Sequence, residues 1–533
     1  MTLAIDFGTS NTVVARWNAA TQQPETIALP ELSWRMAQNP PLIPSLVYVE
    51  NAPQQKIVAG QAVRDRGLDI SSDPRFFRNF KRGIGSHIQG FLPELDGQTL
   101  TFEQVGDLFL TRVVNAVRDV PLPIESLVFT VPVDSFETYR NWLGQVSQSL
   151  QVERVQMLDE PTAAALGYGM ADRGLLLVID FGGGTLDLSL VRLDTGTQNG
   201  KNPVGFILKW GEKHLAENSR QVMKTARVLA KTGQNLGGSD IDYWLADYFQ
   251  KSQGLVAASP LITRLAERLK IQLSLQTQAS EVYFNDQTFE SYELELERSQ
   301  FEQILKEHRF FEQLDESLTQ VFQQGRRQGI ERNDIDAVLL VGGTVQIPAV
   351  QTWIQQYFES AKIRCNRPFE AIALGALQLE QGTELQDFLY HSYGIRYWDR
   401  RQNCHSWHPL IQAGQAYPMK EPVELVLGAS IENQPSIELI LGELGTEASR
   451  TEVYFDGDRL VTRGLGQRQT QVQPLNDREG ARSIARLDPL GFPGSDRIKV
   501  LFYVDNQRFL RMTVKDLLTT QTLLDNQPVV QLN

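Results

Sequence analysis

At 533 residues, with 41% hydrophobic and 22% charged side chains, the chain can form roughly two to four domains, each with its own core. A formal net charge of −13 excludes a surface built to attract the phosphate backbone of nucleic acid, which needs clustered lysine and arginine. Cys365 and Cys404 offer neither a zinc pair nor a disulfide framework, and no leader or apolar run of about 18 residues is present, so a cytoplasmic protein without export or a membrane span is expected.

The first element, LAIDFGTSNTVVAR at 3–16, reads as an apolar strand, Asp-Phe-Gly, a small polar turn and a second strand. After the strand SLVFTV (126–131), the same pattern returns at 177–190 as LVIDFGGGTLDLSL. Such self-similarity is the mark of a duplicated α/β unit of about 170 residues. The three glycines of the second copy raise the question of which phosphate loop they form. A Walker A loop needs G-x-x-x-x-G-K-[ST]; the nearest stretch, GTQNGKN at 196–202, has the wrong spacing and lacks the hydroxyl residue. A dinucleotide-binding turn needs a helix straight after its glycines. Here Leu186, Leu188 and Leu190 alternate with Asp187 and Ser189, so a half-buried strand follows and the glycines form a hairpin tip. At such a tip, glycine lets backbone N–H groups approach an anion, while Asp6 and Asp180 at the two strand ends can share a cation, without which they would repel.

Further along, the basic stretch NSRQVMKTARVLAKTGQ (218–234) is expected to be a solvated surface helix, with a partner site as the alternative. PLITRLAERLKIQLS (260–274) places Ile262, Leu265, Leu269 and Leu273 at helical spacing, and Glu267, Lys270 and Ser274 at i, i+3 and i+7 on one face. The strand DAVLLVGG (336–343) continues the α/β alternation. From about residue 384 the texture becomes period-two, in VELVLGASI (423–431), SIELILGELG (436–445), EVYFDGD (452–458) and IKVLFYVDNQRFLRMTVKD (498–516). These predict a terminal all-β domain.

The segments FKRGIG (80–85), FTVPVDSFETYR (129–140), LDEPTAAALGYG (158–169), AERLKIQLS (266–274), VLLVGGTVQIPAVQ (338–351) and FEAIALGAL (369–377) resemble motifs of the heat shock protein 70 (DnaK-type) chaperone family, in that family's order over residues 1–380. The resemblance implies an α/β fold with a duplicated actin-like (ribonuclease H-like) ATPase domain at 1–383, a linker at 384–394, and a substrate-binding-like β-sandwich at 395–533 with no helical lid behind it. It implies that Gly8, Thr9, Ser10 and Asn11, with Gly182, Gly183 and Gly184, wrap the phosphates of ATP or ADP. Asp6, Lys81, Glu160, Asp180 and Thr185 would be catalytic, with Asp6 and Asp180 holding Mg2+ through water, K+ as an accompanying cation, and Lys81 beside the γ-phosphate. Glu267, Lys270 and Ser274 would line the adenosine site with Gly342, Gly343 and Gln346, while Pro132 and Arg140 would couple the nucleotide to the second domain.

The partners implied are unfolded or extended polypeptide, a J-domain co-chaperone and a nucleotide exchange factor. Several positions depart from the family pattern. Gln346 stands where an arginine is expected to stack on adenine, Phe369 replaces an acid, Gln156 and Asp159 replace an arginine and an asparagine that engage J-domains, and the linker reads QDFLYHSYG. Without a lid, fast peptide release and low peptide affinity are expected. The expected activity is therefore hydrolysis of ATP coupled to peptide binding. The competing readings are a nucleotide-switched scaffold with one dedicated partner and, less well supported by the connecting motifs, a sugar kinase.

Overall fold

In the computed structural model of the protein, the two Asp-Phe-Gly segments form hairpins of one design. Strand Thr2–Phe7 pairs antiparallel with Asn11–Asn18, and Gly174–Phe181 with Leu186–Thr195. The last pairs are Phe7 with Thr12 and Phe181 with Leu186, so each tip holds four residues, Gly8 to Asn11 and Gly182 to Thr185. The structure describes residues 1–36, 39–86, 88–90, 92–118, 124–132, 139, 142–146, 150, 152, 154–170, 174–195, 224–255, 259–285, 288–378, 389, 392–399, 404–411, 415, 417–419, 421–444, 450–456, 459–465, 472–476, 483–505 and 508–532. Arg140, most of the segment read as a linker, and residues 218–223 of the basic stretch lie outside them.

Two compact units emerge. One takes most of the chain up to Glu384 together with Thr451–Arg463, the other Leu385–Arg450 and Gly464–Asn533. In the first unit each hairpin is the start of a sheet with the same strand order. One sheet runs Gln23–Thr26, Asn11–Asn18, Thr2–Phe7, Ser126–Val131, Arg154–Asp159; the other runs Lys224–Gln234, Leu186–Thr195, Gly174–Phe181, Ala337–Val341, Ile363–Arg364. In both, the outer hairpin strands are antiparallel and the last two strands are parallel to the central one. Every residue of Ser126–Val131 and Ala337–Val341 is buried, as expected of parallel strands covered on both faces.

The stretch 224–234 is a strand and not the expected surface helix, paired along the edge of the second sheet with Leu229 and Ala230 buried. Lysine and arginine suit an exposed edge strand as well as a helix face, so charge alone could not separate the two.

Helices Glu160–Gly167 and Ala371–Ala376 cross with backbones nearly touching. A Cβ on Gly167 would overlap the Ala371 carbonyl, and one on Gly375 the Ala163 carbonyl. Glycine at both crossing points is thus a steric requirement.

The second unit is all-β among its described residues. A four-stranded sheet carrying Ser392–Asp399 and another carrying Val423–Gly428, Asp496–Val504, Phe509–Asp516 and Thr522–Gln531 share one core, in which Tyr393 and Ile395 of the first belong with Val500, Phe502 and Val514 of the second. The segment 436–445, read as one strand, is two: Gln434–Glu438 pairs with Ser483–Gly491, and Leu441–Leu444 with Ser392–Asp399. At the break the buried Asn476 accepts from Leu441 N at 2.8 Å and donates to the Leu439 carbonyl at 2.9 Å, satisfying the backbone where the chain changes partners. Arg497 and Asp516 form a buried ion pair at 2.8 Å beneath the turn at Leu517 and Leu518. Among the described residues no helix is long and apolar enough to cross a membrane.

The helix crossing gives a test. Substituting Gly375→Ala adds a methyl group where none fits, so urea unfolding of the first unit should show a loss of about 1–3 kcal/mol. At Gly97 a Cβ would meet nothing, but φ is +79°, so Gly97→Ala measures left-handed backbone strain alone, about 1 kcal/mol; a Gly375→Ala loss no larger than that would refute the close packing.

Candidate functional site

Local structure explains how each charged group reaches the cavity between the two sheets. Asp6 and Asp180 end the central strands of the two sheets, at matching places in the repeat. Glu160 is the first residue of a helix that starts directly after a strand; Asp159 caps that helix by accepting from Thr162 N at 2.8 Å, with Pro161 in its first turn. Lys81 sits in a 3-10 turn, Phe80–Gly83, preceded by Asn79 in the left-handed region at φ 56°. The turn is anchored by Phe80, which packs with Phe7 and Phe109, and by the Tyr139 hydroxyl, which donates to the Lys81 carbonyl at 2.9 Å.

The two tips touch. A Cβ on Gly183 would overlap Ser10 Oγ, and one on Gly184 would lie 2.5 Å from Thr9 Cγ2. Gly237 closes on the Gly183–Gly184 backbone, and Thr344 donates to the Gly182 carbonyl at 2.8 Å. Arg82 pairs with Asp240 at 2.6 Å and reaches the Gly184 carbonyl. Among the described residues the backbone N–H groups of Thr9, Ser10, Gly183 and Gly184 have no backbone acceptor. Unpaired N–H groups gathered at glycine turns form a concavity suited to an anion.

Beside the tips, Lys81 Nζ donates to Glu160 Oε1 at 3.1 Å, with both side chains about nine-tenths buried. Thr130 donates to Asp6 Oδ1 at 2.8 Å. Burial and the Glu160 charge push the Asp6 carboxyl up to about 7 despite Lys81 and Thr130. Asp180 is raised well above the usual range by burial and by Glu160, Asp187 and Asp6. Burial works against the Lys81 ammonium, but the carboxylates around it outweigh that effect and raise its pKa. Acids that resist losing protons mark a place short of positive charge, which a cation would stabilise. Asp6, Glu160 and Asp180 are hard oxygen donors lining one cavity, a set whose chemistry suits a divalent cation.

The rest of a cavity of about 370 Å³ is walled by the helix Pro260–Leu275 and by the turn after strand Ala337–Val341. Glu267, Lys270 and Ser274 all face it, as do Gly342, Gly343, Gln346 and Phe369. Lys270 is held by Asp242 at 2.6 Å and by the Gly238 carbonyl at 2.7 Å. Glu267 accepts from Arg64 with both its oxygens, at 2.9 and 2.7 Å, and Arg264 of the same helix donates to Asp69 at 2.9 Å, so two ion pairs join this helix to the segment 64–69. Burial disfavours the Glu267 carboxylate, but Arg64 and Lys270 outweigh it and hold the pKa at about 2.

Asp6, Lys81, Glu160, Asp180 and the two tips, including Asn11 and Thr185, therefore share one cavity, whereas Gly184 packs on Thr9 and does not line it. Pro132 lies in a small cleft behind it with Glu160, Asp180 and Asp187. Gln156 and Asp159 are buried, the latter as a helix cap. Sequence reasoning missed Thr130, Arg64, Asp242 and Asp187. Asp187 was within reach of it, since it stands opposite Asp180 on the alternating strand; Arg64 was not, since it meets Glu267 from 203 positions away.

A family model described as Hsp70 protein matches residues 2–203 and 224–389, and the chain belongs to that family. It is similar to "Chaperone protein dnaK1" of Synechocystis sp., 27% identical over 79% of this chain and 55% of the relative. It is also similar to proteins named "Chaperone protein DnaK" from Thermosipho melanesiensis and Thermosipho africanus, 25% and 27% identical over 97% of this chain and 78% of each relative. The match thus spans little more than half the length of the Synechocystis protein.

The acid cluster predicts an inverted pH dependence. Asp6 releases its proton near 3.8 when unfolded and near 7 when folded, so between these values the folded state binds more protons and stability falls as pH rises. Melting temperatures of the ligand-free protein should drop between about pH 4 and about pH 7, and Asp6→Asn should flatten that drop. A variant that keeps the wild-type slope would remove Asp6 as its source.

Proposed function

We propose that this chain is an ATP-dependent chaperone of the heat shock protein 70 type, which binds and hydrolyses MgATP in the first unit and binds extended polypeptide with the β unit. The observation that carries the reading is the contact of the two hairpin tips beside Asp6, Lys81, Glu160 and Asp180.

In this reading the N–H groups of Thr9, Ser10, Gly183 and Gly184 hold phosphate oxygens from two sides. Asp6 and Asp180 would hold Mg2+ through water, and the ion would supply charge neutralisation for the phosphates. Lys81, fixed by Glu160 and Tyr139, places a permanent cation where negative charge develops on the transferred phosphoryl group. Glu160 orients the attacking water, a role supported by its place in the cavity beside Lys81, and Thr185 lines the same cavity at the second tip. Glu267, Lys270 and Ser274 line the part of the cavity that takes the ribose and base.

The Arg64–Glu267 and Arg264–Asp69 pairs tie the two sides of the mouth together, so they slow nucleotide release. The second reading, a nucleotide-switched scaffold with a dedicated partner, is favoured by one observation. Gln156 and Asp159, at positions where the resemblance expects J-domain contacts, are buried and leave little for a co-chaperone to grip.

Lys81→Ala should lower turnover by about 100-fold or more while nucleotide still binds; unchanged turnover would remove Lys81 from the chemistry. Adding unfolded peptide separates the two readings. A raised ATPase rate supports a chaperone, and a flat response supports the scaffold. Arg64→Ala should speed ADP dissociation several-fold in stopped-flow measurements, roughly the effect of losing an ion pair of about 1 kcal/mol. Release at the wild-type rate would show that the clasp does not hold.

A further inference from the structure

Resting on the reading of the cavity as a nucleotide site, one wall has no role in the scheme above. Trp34 and Met36 line the cavity opposite the helix Pro260–Leu275. Trp34 is fixed from several directions. Its backbone forms a two-way bridge with Leu42 at 2.6 and 3.0 Å, and the neighbouring Leu32 carbonyl accepts from Gln61 N at 2.9 Å. The Arg64 guanidinium lies 5.9 Å from the indole ring centroid and is itself held by both oxygens of Glu267. The backbone that carries the ring is thus held in place, and Arg64 is the ring's charged neighbour.

The indole is also incompletely used. Trp142 donates its Nε1–H to the Glu103 carbonyl at 3.0 Å and Trp353 donates to Asp315 at 2.7 Å, whereas among the described residues the Nε1–H of Trp34 has no acceptor. The same cavity is lined by Ile271 and Ser274 of the helix Pro260–Leu275 and by Gln346 of the turn after strand Ala337–Val341. Lys270, the cation on that wall, is already committed to Asp242 and Gly238. That end of the cavity therefore offers a flat aromatic surface and apolar side chains, and no free guanidinium on the Gln346 side.

We propose that Trp34 is the base-stacking residue: a purine whose phosphates lie at the two hairpin tips rests on the Trp34 indole, which takes over the contact that Gln346 cannot make as a cation. Aromatic stacking tolerates any purine, so Trp34 adds affinity without choosing between bases. Because Arg64 joins Trp34 to Glu267, the stacking surface and the clasp at the mouth form one unit.

The test is calorimetric, on the full chain with Mg2+ fixed, using ADP and inorganic tripolyphosphate as separate ligands. Trp34→Ala should weaken ADP binding about tenfold and leave tripolyphosphate within about twofold of wild type. Trp34→Phe, which keeps an aromatic face, should retain most of the ADP affinity and guards against a folding defect in the alanine variant. ADP affinity unchanged in Trp34→Ala, or an equal loss for both ligands, overturns the proposal. Failure of the wild-type protein to bind ADP would overturn the nucleotide reading itself, an outcome distinct from either.

Discussion

Contact between the two hairpin tips is the constraint on which the rest of this protein depends. Gly183 and Gly184 lie against Ser10 and Thr9 at a separation that no side chain on the second tip would permit. Bringing the tips together brings their carboxylates together as well, and burial then raises the Asp6 and Asp180 pKa values. The geometry is thus steric in origin and electrostatic in consequence. A site held shut by glycine packing has an unmet need for positive charge, of which Lys81 supplies only part.

The surrounding architecture serves to keep that contact in register. Two sheets of one topology present their central strands to each other, and the helices Glu160–Gly167 and Ala371–Ala376 lock the sheets by a glycine-to-carbonyl crossing at each end. Glu160 is delivered by the first of these helices, so the element that fixes the two halves also carries a charged group of the site. At the mouth, side chains replace backbone as the fastener: Arg64 with Glu267, and Arg264 with Asp69. Side-chain ion pairs near solvent break more readily than helix crossings, and this separates a permanent hinge from a releasable clasp.

Much of this was legible in the sequence because the repeat preserves spacing. Asp6 and Asp180, the two tips and the alternation at Leu186, Leu188 and Leu190 predicted paired hairpins, and the helical period predicted Pro260–Leu275 with Glu267, Lys270 and Ser274 on one face. What escaped depended on long-range pairing. The basic run at 224–234 became an edge strand because a ten-residue partner was available, and no local property of lysine or arginine distinguishes that outcome from a helix. The run at 436–445 split because Asn476 stabilises its backbone at a change of sheet. Asp159, read as a replacement at a position where the family resemblance expects a J-domain contact, is consumed as a helix cap. In each case the sequence carried the propensity and tertiary partners decided its use.

The two tips have unequal shares in their contact. The first supplies bulk through Thr9 and Ser10, and the second supplies vacancy through Gly183 and Gly184. The duplicated halves are therefore related as plug and socket and are no longer interchangeable. A residue larger than glycine at Gly183 could be accommodated only if Ser10 shrank at the same time, so variation at these positions must travel in pairs across more than 170 residues of chain.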